Sequence, residues 1–270
     1  MATTQSQRDA FDESAPVYQS ARPAYPSELF DELITLTKIT PAAEILEIGA
    51  GPGLATVDLA RRGFKITALE PGERLAEQAR HNLAAHPAVS VITSGFEPWQ
   101  SPAGATYDLV FAANAWQWVD RELRWAKAAR LLTPGGHLAI FGAHHAFPDG
   151  FDPFFTEIHQ VYVELGEAVG DWPPPPPRLV NGDLIDEGIA SGHFRRVAQR
   201  MFVWPVRYTV DSYLALLDTF ANHIVMEPAK RQQLYAEVRR LLAQRPDGQV
   251  TRHWISQLAV LQHVPGEAQK

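Results

Sequence analysis

Apolar residues fall in short blocks through the first half of this chain and at helical spacing in parts of the second. The blocks Ile45–Ile48, Phe64–Leu69, Val89–Thr93, Tyr107–Ala113 and Leu138–Phe141 are each closed by a turn signal. Short apolar runs of this kind read as strands. Helical stretches separate them, among them Ala55–Arg62 with Gly63 as its C-cap. Strand and helix alternating in this way predict an α/β fold with a mostly parallel sheet. Beyond residue 145 the rhythm changes. Phe154, Phe155, Ile158, Val161, Tyr162 and Leu165 recur at helical spacing, and then Trp172 precedes five prolines, Pro173–Pro177. That run predicts a stiff, extended strut. Phe194–Pro205 alternates like a sixth strand, and Asp211–Phe220 and Pro228–Gln244 read as helices. The expected organisation is therefore an N-terminal helical cap (1–40), a ligand-binding core (41–145), a lid insertion (146–190) and a segment completing the sheet (191–270).

Composition narrows the picture without deciding it. The hydrophobic content of 46% suffices for a core, and no apolar run approaches a membrane span. The first residues, Met1–Gln7, lack the apolar stretch of a signal peptide. With no cysteine, disulfides and thiolate metal sites are excluded, and a cytoplasmic location is expected. The formal net charge of −7 argues against a nucleic-acid partner, which needs concentrated positive charge.

The chemistry is concentrated at the end of the first strand. Gly49, Gly51 and Gly53 stand at every second position, two residues after Glu47. Glycines there let a ligand approach the backbone closely, and the helix that follows presents unpaired N–H groups. The dinucleotide fingerprint needs G-x-G-x-x-G, whereas this turn is G-x-G-x-G. A carboxylate beside it also disfavours a pyrophosphate and suits a cationic amino group. Seventeen residues after Gly53, the second strand ends at Glu70, placed to accept hydrogen bonds from ribose hydroxyls.

The run Glu47-x-Gly49-x-Gly51-x-Gly53 resembles motif I of the class I S-adenosylmethionine-dependent methyltransferases, and Glu70 takes that family's motif II position. Phe96 and Glu97 follow the third strand where the family flanks the adenine. The bend Pro134-Gly135-Gly136 ahead of the fifth strand is similar to the corresponding family segment. The stretches Phe11–Tyr18 and Arg22–Pro26 look like the entry segment of the small-molecule branch, which includes relatives of trans-aconitate methyltransferase, and Val250–Leu261 resembles its closing strand. The resemblance implies a Rossmann-like, seven-stranded sheet with helices on both faces. It also implies S-adenosyl-L-methionine as cofactor, held by Glu47, Gly49, Ala50, Gly51, Gly53, Glu70, Pro71, Phe96, Glu97, Asn114 and Ala115.

Methyl transfer from a sulfonium depends mainly on alignment and exclusion of water. If the acceptor must lose a proton, His144, His145 and His223 are the candidate bases. Tyr18, Tyr25, Trp116, Gln117 and Trp172 are candidates for lining an acceptor pocket, while Trp118 reads as core. No metal site is expected, since His144 and His145 are adjacent and no HExxH pattern occurs. The expected partner is a small-molecule acceptor, with the chain a monomer or homodimer and no membrane association. An NAD(P)-dependent oxidoreductase and a non-catalytic S-adenosylmethionine-binding protein are the alternatives.

Overall fold

The computed structural model describes residues 21–179 and 183–265 of the chain. They divide into two compact units: a sheet unit (24–143, 179, 183–202 and 256–265) and a helical unit (21–23, 144–178 and 203–255).

In the sheet unit, β1 (Glu44–Ile48), β2 (Lys65–Glu70), β3 (Val89–Thr93), β4 (Tyr107–Ala113) and β5 (Leu132–Phe141) pair side by side in the order β3-β2-β1-β4-β5. All four pairings are parallel, with Ile45 facing Ile66 on one side and Leu109 on the other. The closing half of β8 (Gln249–His263) runs antiparallel to β5, Leu138 opposite Leu261. Side chains alternate between the faces. Leu46 and Ile48, Val110 and Ala112, Leu138 and Ile140, and Ala259 and Leu261 join one core cluster with Trp99, Trp116 and Trp125. Their neighbours Ile45, Ala68, Leu109, Phe111, Ala139 and Val260 are buried as well. Burial on both faces is why these strands read as unbroken apolar blocks. Helices α1 (Ser27–Thr37), α2 (Thr56–Arg61), α3 (Glu73–Asn82) and α4 (Arg124–Leu131) lie along this part of the chain. The strand order reverses between β1 and β4, and open α/β sheets bind ligands at the carboxyl ends flanking such a reversal.

The helical unit contains α5 (Phe154–Glu164), which buries Phe154, Phe155, Ile158 and Val161. After α6 (Asp183–Ala190), which belongs to the sheet unit, come α7 (Val210–Leu217), α8 (Ala221–Ile224) and α9 (Pro228–Ala243). The last of these packs on α5 and buries Leu234, Val238, Leu241 and Leu242.

The sheet has eight strands, one more than the resemblance implied. The additional element is β6 (His144–Ala146), pairing antiparallel with the first half of β8, His145 opposite Trp254. Three residues are too few for alternation to reveal them in a sequence. β7 (Phe194–Thr209) runs past the expected end at Pro205 and, among the described residues, pairs only with β8. Such an edge position tolerates a proline, which cannot donate to a ladder. The segment Pro173–Pro177 forms neither helix nor strand. Tyr18 and the entry segment Phe11–Tyr18 lie outside the described residues, and no described helix is long and apolar enough to cross a membrane.

Candidate functional site

The glycine turn after β1 is held by hydrogen bonds that leave one side open. Gly49, Gly51 and Gly53 have φ of +69°, +56° and +89°, the left-handed region that favours glycine. The N–H groups of Gly49 and Ala50 both donate to Leu69 O, at 2.8 and 2.9 Å. A Cβ on Gly49 would stand 2.5 Å from Ala115 Cβ, so this glycine is needed for close packing; a Cβ on Gly51 would meet nothing within 4 Å. Gly51 therefore faces space that a ligand can enter.

Glu70 ties this turn to the next. Its Oε2 accepts from Gly51 N–H at 2.7 Å, and its Oε1 accepts from Gly72 N–H at 2.8 Å. These two bonds fix the carboxylate at the carboxyl end of β2. Glu47 is 1% exposed. Thr56 Oγ1 donates to its Oε2 at 2.5 Å, and its Oε1 has no partner. Burial pushes the carboxyl up to about 8, opposed by the Thr56 hydrogen bond and assisted by the nearby Glu70 charge. An unpartnered buried polar atom is costly, and a cationic donor would favour the ionised carboxylate and satisfy it.

At the carboxyl end of β4, Asn114 adopts φ +59°. Its Oδ1 accepts from Ala143 N–H, and its Nδ2 donates to Tyr25 Oη, each at 2.9 Å. Tyr25 is buried edge-on to Phe141, so α1's leading segment is fixed to the reversal point of the sheet. Gln117 is exposed and donates to Asn114 O. On the β2–β3 side, Glu97 Oε1 accepts from Asp120 N–H at 3.2 Å. A Cβ on Gly95 would lie 3.3 Å from Glu97 Oε2 and 3.9 Å from Pro71 Cβ, which puts Pro71 and Glu97 around one small gap. Phe96 is buried against Trp116, with Lys127 Nζ 5.1 Å from its ring centre.

Trp116 departs from expectation. It has no exposed surface and packs on Trp125 in the core, whereas Trp118 is partly exposed. The two tryptophans sit on one 3-10 turn, Trp116–Trp118, whose phase a sequence does not fix. Trp116 is thus a core residue rather than a pocket wall.

The remaining candidates lie in the helical unit. His145, Trp172 and His223 line a cavity of about 330 Å³, whereas His144 points the other way on β6 and is exposed. Tyr162 Oη lies 2.7 Å from His223 Nε2, and Asn222 Oδ1 lies 3.2 Å from His223 Nδ1. This pairing suits a neutral ring that donates from Nδ1 and accepts at Nε2. Burial, with Arg252 nearby, pushes His223 down to about 4. The same two causes, with His253, hold His145 far below the usual histidine range, and its Nε2 has no partner. Both rings are therefore neutral and weakly basic. Two further cavity residues, Tyr162 and Arg252, belong to no motif and do not stand out as site candidates in the sequence. Arg252 does leave a signal: β8 buries alternate positions, and Arg252 falls in phase with Val250, Trp254 and Leu258. Among the described residues no cluster of acids and histidines could hold a metal ion.

Residues 45–136 match the family model described as a methyltransferase domain. A solved structure, titled as a type II methyltransferase of Anaeromyxobacter dehalogenans, is 25% identical with a TM-score of 0.60, covering 89% of this chain and 97% of that one. A trans-aconitate 2-methyltransferase of Paracidovorax citrulli is 30% identical over 57% of this chain and 56% of its own length. A Dictyostelium discoideum protein named as a methyltransferase is 30% identical over 235 residues, 87% of this chain and 85% of that one. The chain belongs to the class I S-adenosylmethionine-dependent methyltransferases. S-adenosylmethionine is accordingly the cofactor of this methyltransferase, and the open Gly51 and the unanswered Glu47 Oε1 fit a ligand that carries an ammonium group. Membership removes the oxidoreductase alternative, which the G-x-G-x-G spacing already disfavoured.

Proposed function

We propose that this methyltransferase alkylates a small-molecule acceptor, holding its cofactor across the carboxyl ends of β1, β2 and β4. The observation that carries this reading is the Glu70 carboxylate clamped between Gly51 N–H and Gly72 N–H. It stands at the end of β2, where ribose hydroxyls would be received. Glu47 Oε1 answers the cofactor's ammonium. The backbone of Gly49, Ala50, Gly51 and Gly53 admits its amino-acid part, Asn114 and Ala115 border it on the β4 side, and Pro71, Glu97 and buried Phe96 bound the adenine end.

When bound, S-adenosylmethionine supplies a methyl group already activated by positive sulfur. Glu47, Glu70 and the glycine turn would hold the cofactor while its methyl passes to a lone pair of the acceptor and the sulfur keeps the C–S electron pair. The protein's task is alignment and exclusion of water. His145 and His223 contribute little as bases, because burial strips their basicity. The acceptor therefore attacks through an atom that needs little help in losing a proton. In the sheet unit Tyr25 and Gln117, tied to Asn114, are assigned to acceptor binding; Trp172 lines the cavity of the helical unit. A formal charge of −7 favours a small molecule over nucleic acid as acceptor, and a cytoplasmic monomer or homodimer completes the reading.

Calorimetry tests it. S-adenosylhomocysteine should bind with micromolar affinity and NADH not at all; the opposite pair of results overturns the assignment.

A further inference from the structure

Two arginines of the described residues are buried, Arg124 and Arg252. Arg124 ion-pairs with the carboxylate of Glu187. Arg252, 6% exposed, has no ion-pair partner among the described residues, and its Nε makes no hydrogen bond. Tyr213 shares a hydrogen bond with its guanidinium, and the groups that act on it most strongly are neutral or positive. Tyr162, Tyr208 and Tyr213 are phenols that burial keeps protonated. His145 and His223 are neutral, and Arg22 adds like charge. The ring centres of Trp254 and Phe220 lie 4.7 and 5.0 Å from its Cζ, which attracts the cation without cancelling its charge.

A buried charge with no counter-ion weakens a fold. Such a group is understandable where a ligand brings the missing anion, and Arg252 lines the cavity of about 330 Å³ in the helical unit. That volume is at the small end for ligand pockets. Phe147, Phe155, Trp172 and Phe220 supply apolar ring surface, with Phe147 and Trp172 edge-on at 5.2 Å. Rings so arranged favour a flat apolar body. Of the two acids at the lining, Glu167 is engaged by Lys230 at 2.7 Å, and Asp171 is exposed. One planar guanidinium matches one carboxylate in a two-point contact; a phosphate dianion would retain uncompensated charge.

We infer that the helical unit carries a binding site for a small organic monocarboxylate with a flat apolar body, its carboxylate paired with Arg252. The ligand chemistry is the same whether the acid is the methyl acceptor or a regulator. The inference stands apart from the cofactor assignment, which concerns the sheet unit alone.

The test is calorimetry of the full chain, saturated with S-adenosylhomocysteine, against benzoate, trans-cinnamate and hexanoate and their amides. At least one of the two aromatic acids should bind more than tenfold tighter than its amide, and hexanoate should bind more weakly. Arg252→Met should abolish that preference, leave S-adenosylhomocysteine affinity within twofold, and raise the thermal midpoint of the ligand-free protein. Should that variant fail to fold, Arg252→Gln and the wild-type comparison of acid with amide decide the question in the same way. Acids and amides binding alike, or neither binding, overturns the inference. Failure here with S-adenosylhomocysteine still bound leaves the cofactor reading intact, and loss of the latter alone leaves this site intact. Incubating the preferred acid with methyl-labelled cofactor separates the two sources: label on the acid marks an acceptor, and an unlabelled acid marks a regulator.

Discussion

Replacing Glu47 by glutamine should stabilise the protein at alkaline pH while weakening its hold on the cofactor. Glu47 is fully buried, and its carboxyl is raised from 4.5 to about 8. Between those values the folded protein keeps a proton that the unfolded chain releases. Because the native state binds more protons in that window, stability falls as pH rises through it. At about 1.4 kcal/mol per pH unit, the full loss approaches about 5 kcal/mol by pH 8 and then levels off. Glutamine is nearly isosteric, can still accept from Thr56, and carries no charge. Urea unfolding of both proteins at intervals from pH 5 to 9 reads the difference directly. Titration of the other buried groups, His145 and His223 among them, is common to both proteins and cancels. The Glu47→Gln advantage should widen from pH 5 to 8 and be flat above. Parallel stability curves across that range would refute the argument that burial, rather than Thr56, governs this carboxyl. The same variant should bind S-adenosylhomocysteine at least tenfold more weakly at pH 8, since it cannot answer an ammonium with charge.

The two neighbouring glycines should separate structure from ligand contact. Gly49→Ala places a methyl 2.5 Å from Ala115 Cβ at φ +69° and should cost about 2–4 kcal/mol in thermal or urea unfolding. Gly51→Ala meets no neighbour, so it should cost only about 1–2 kcal/mol for its left-handed backbone yet weaken S-adenosylhomocysteine binding by more than tenfold in calorimetry. Glu70→Ala should lower that affinity by about 10- to 100-fold, through lost ribose contacts and loss of the Gly51 and Gly72 bonds; unchanged affinity would remove Glu70 from the site. Alanine at His145 or His223 should reduce kcat by less than about tenfold, against the ~100-fold or more expected of a general base, and the kcat–pH profile should lack a histidine inflection near 6–7.

What the sequence disclosed is what local physics decides. The β1 turn and the acid at the end of β2 were legible because left-handed backbone and a strand-end carboxylate leave marks within a few residues. The five parallel strands were legible because burial on both faces writes itself as apolar blocks. Trp116 and Trp118 were not separable, since a single 3-10 turn determines which ring enters the core. His144 and His145 looked equivalent as neighbours, but the alternation of β6 sends only His145 to the cavity. The basicity of His145 was beyond reach because it depends on burial beside Arg252, far away along the chain. Arg252 itself was readable as a charge in the buried phase of an alternating strand, a pattern that motif comparison passes over.

A crystal structure with S-adenosylhomocysteine bound tests the central claim most directly. The ribose hydroxyls should rest on Glu70, the ammonium should face Glu47, and the backbone of Gly51 should touch the ligand. A nucleotide seated away from Glu70, or a phosphate group against the glycine turn, would contradict the account.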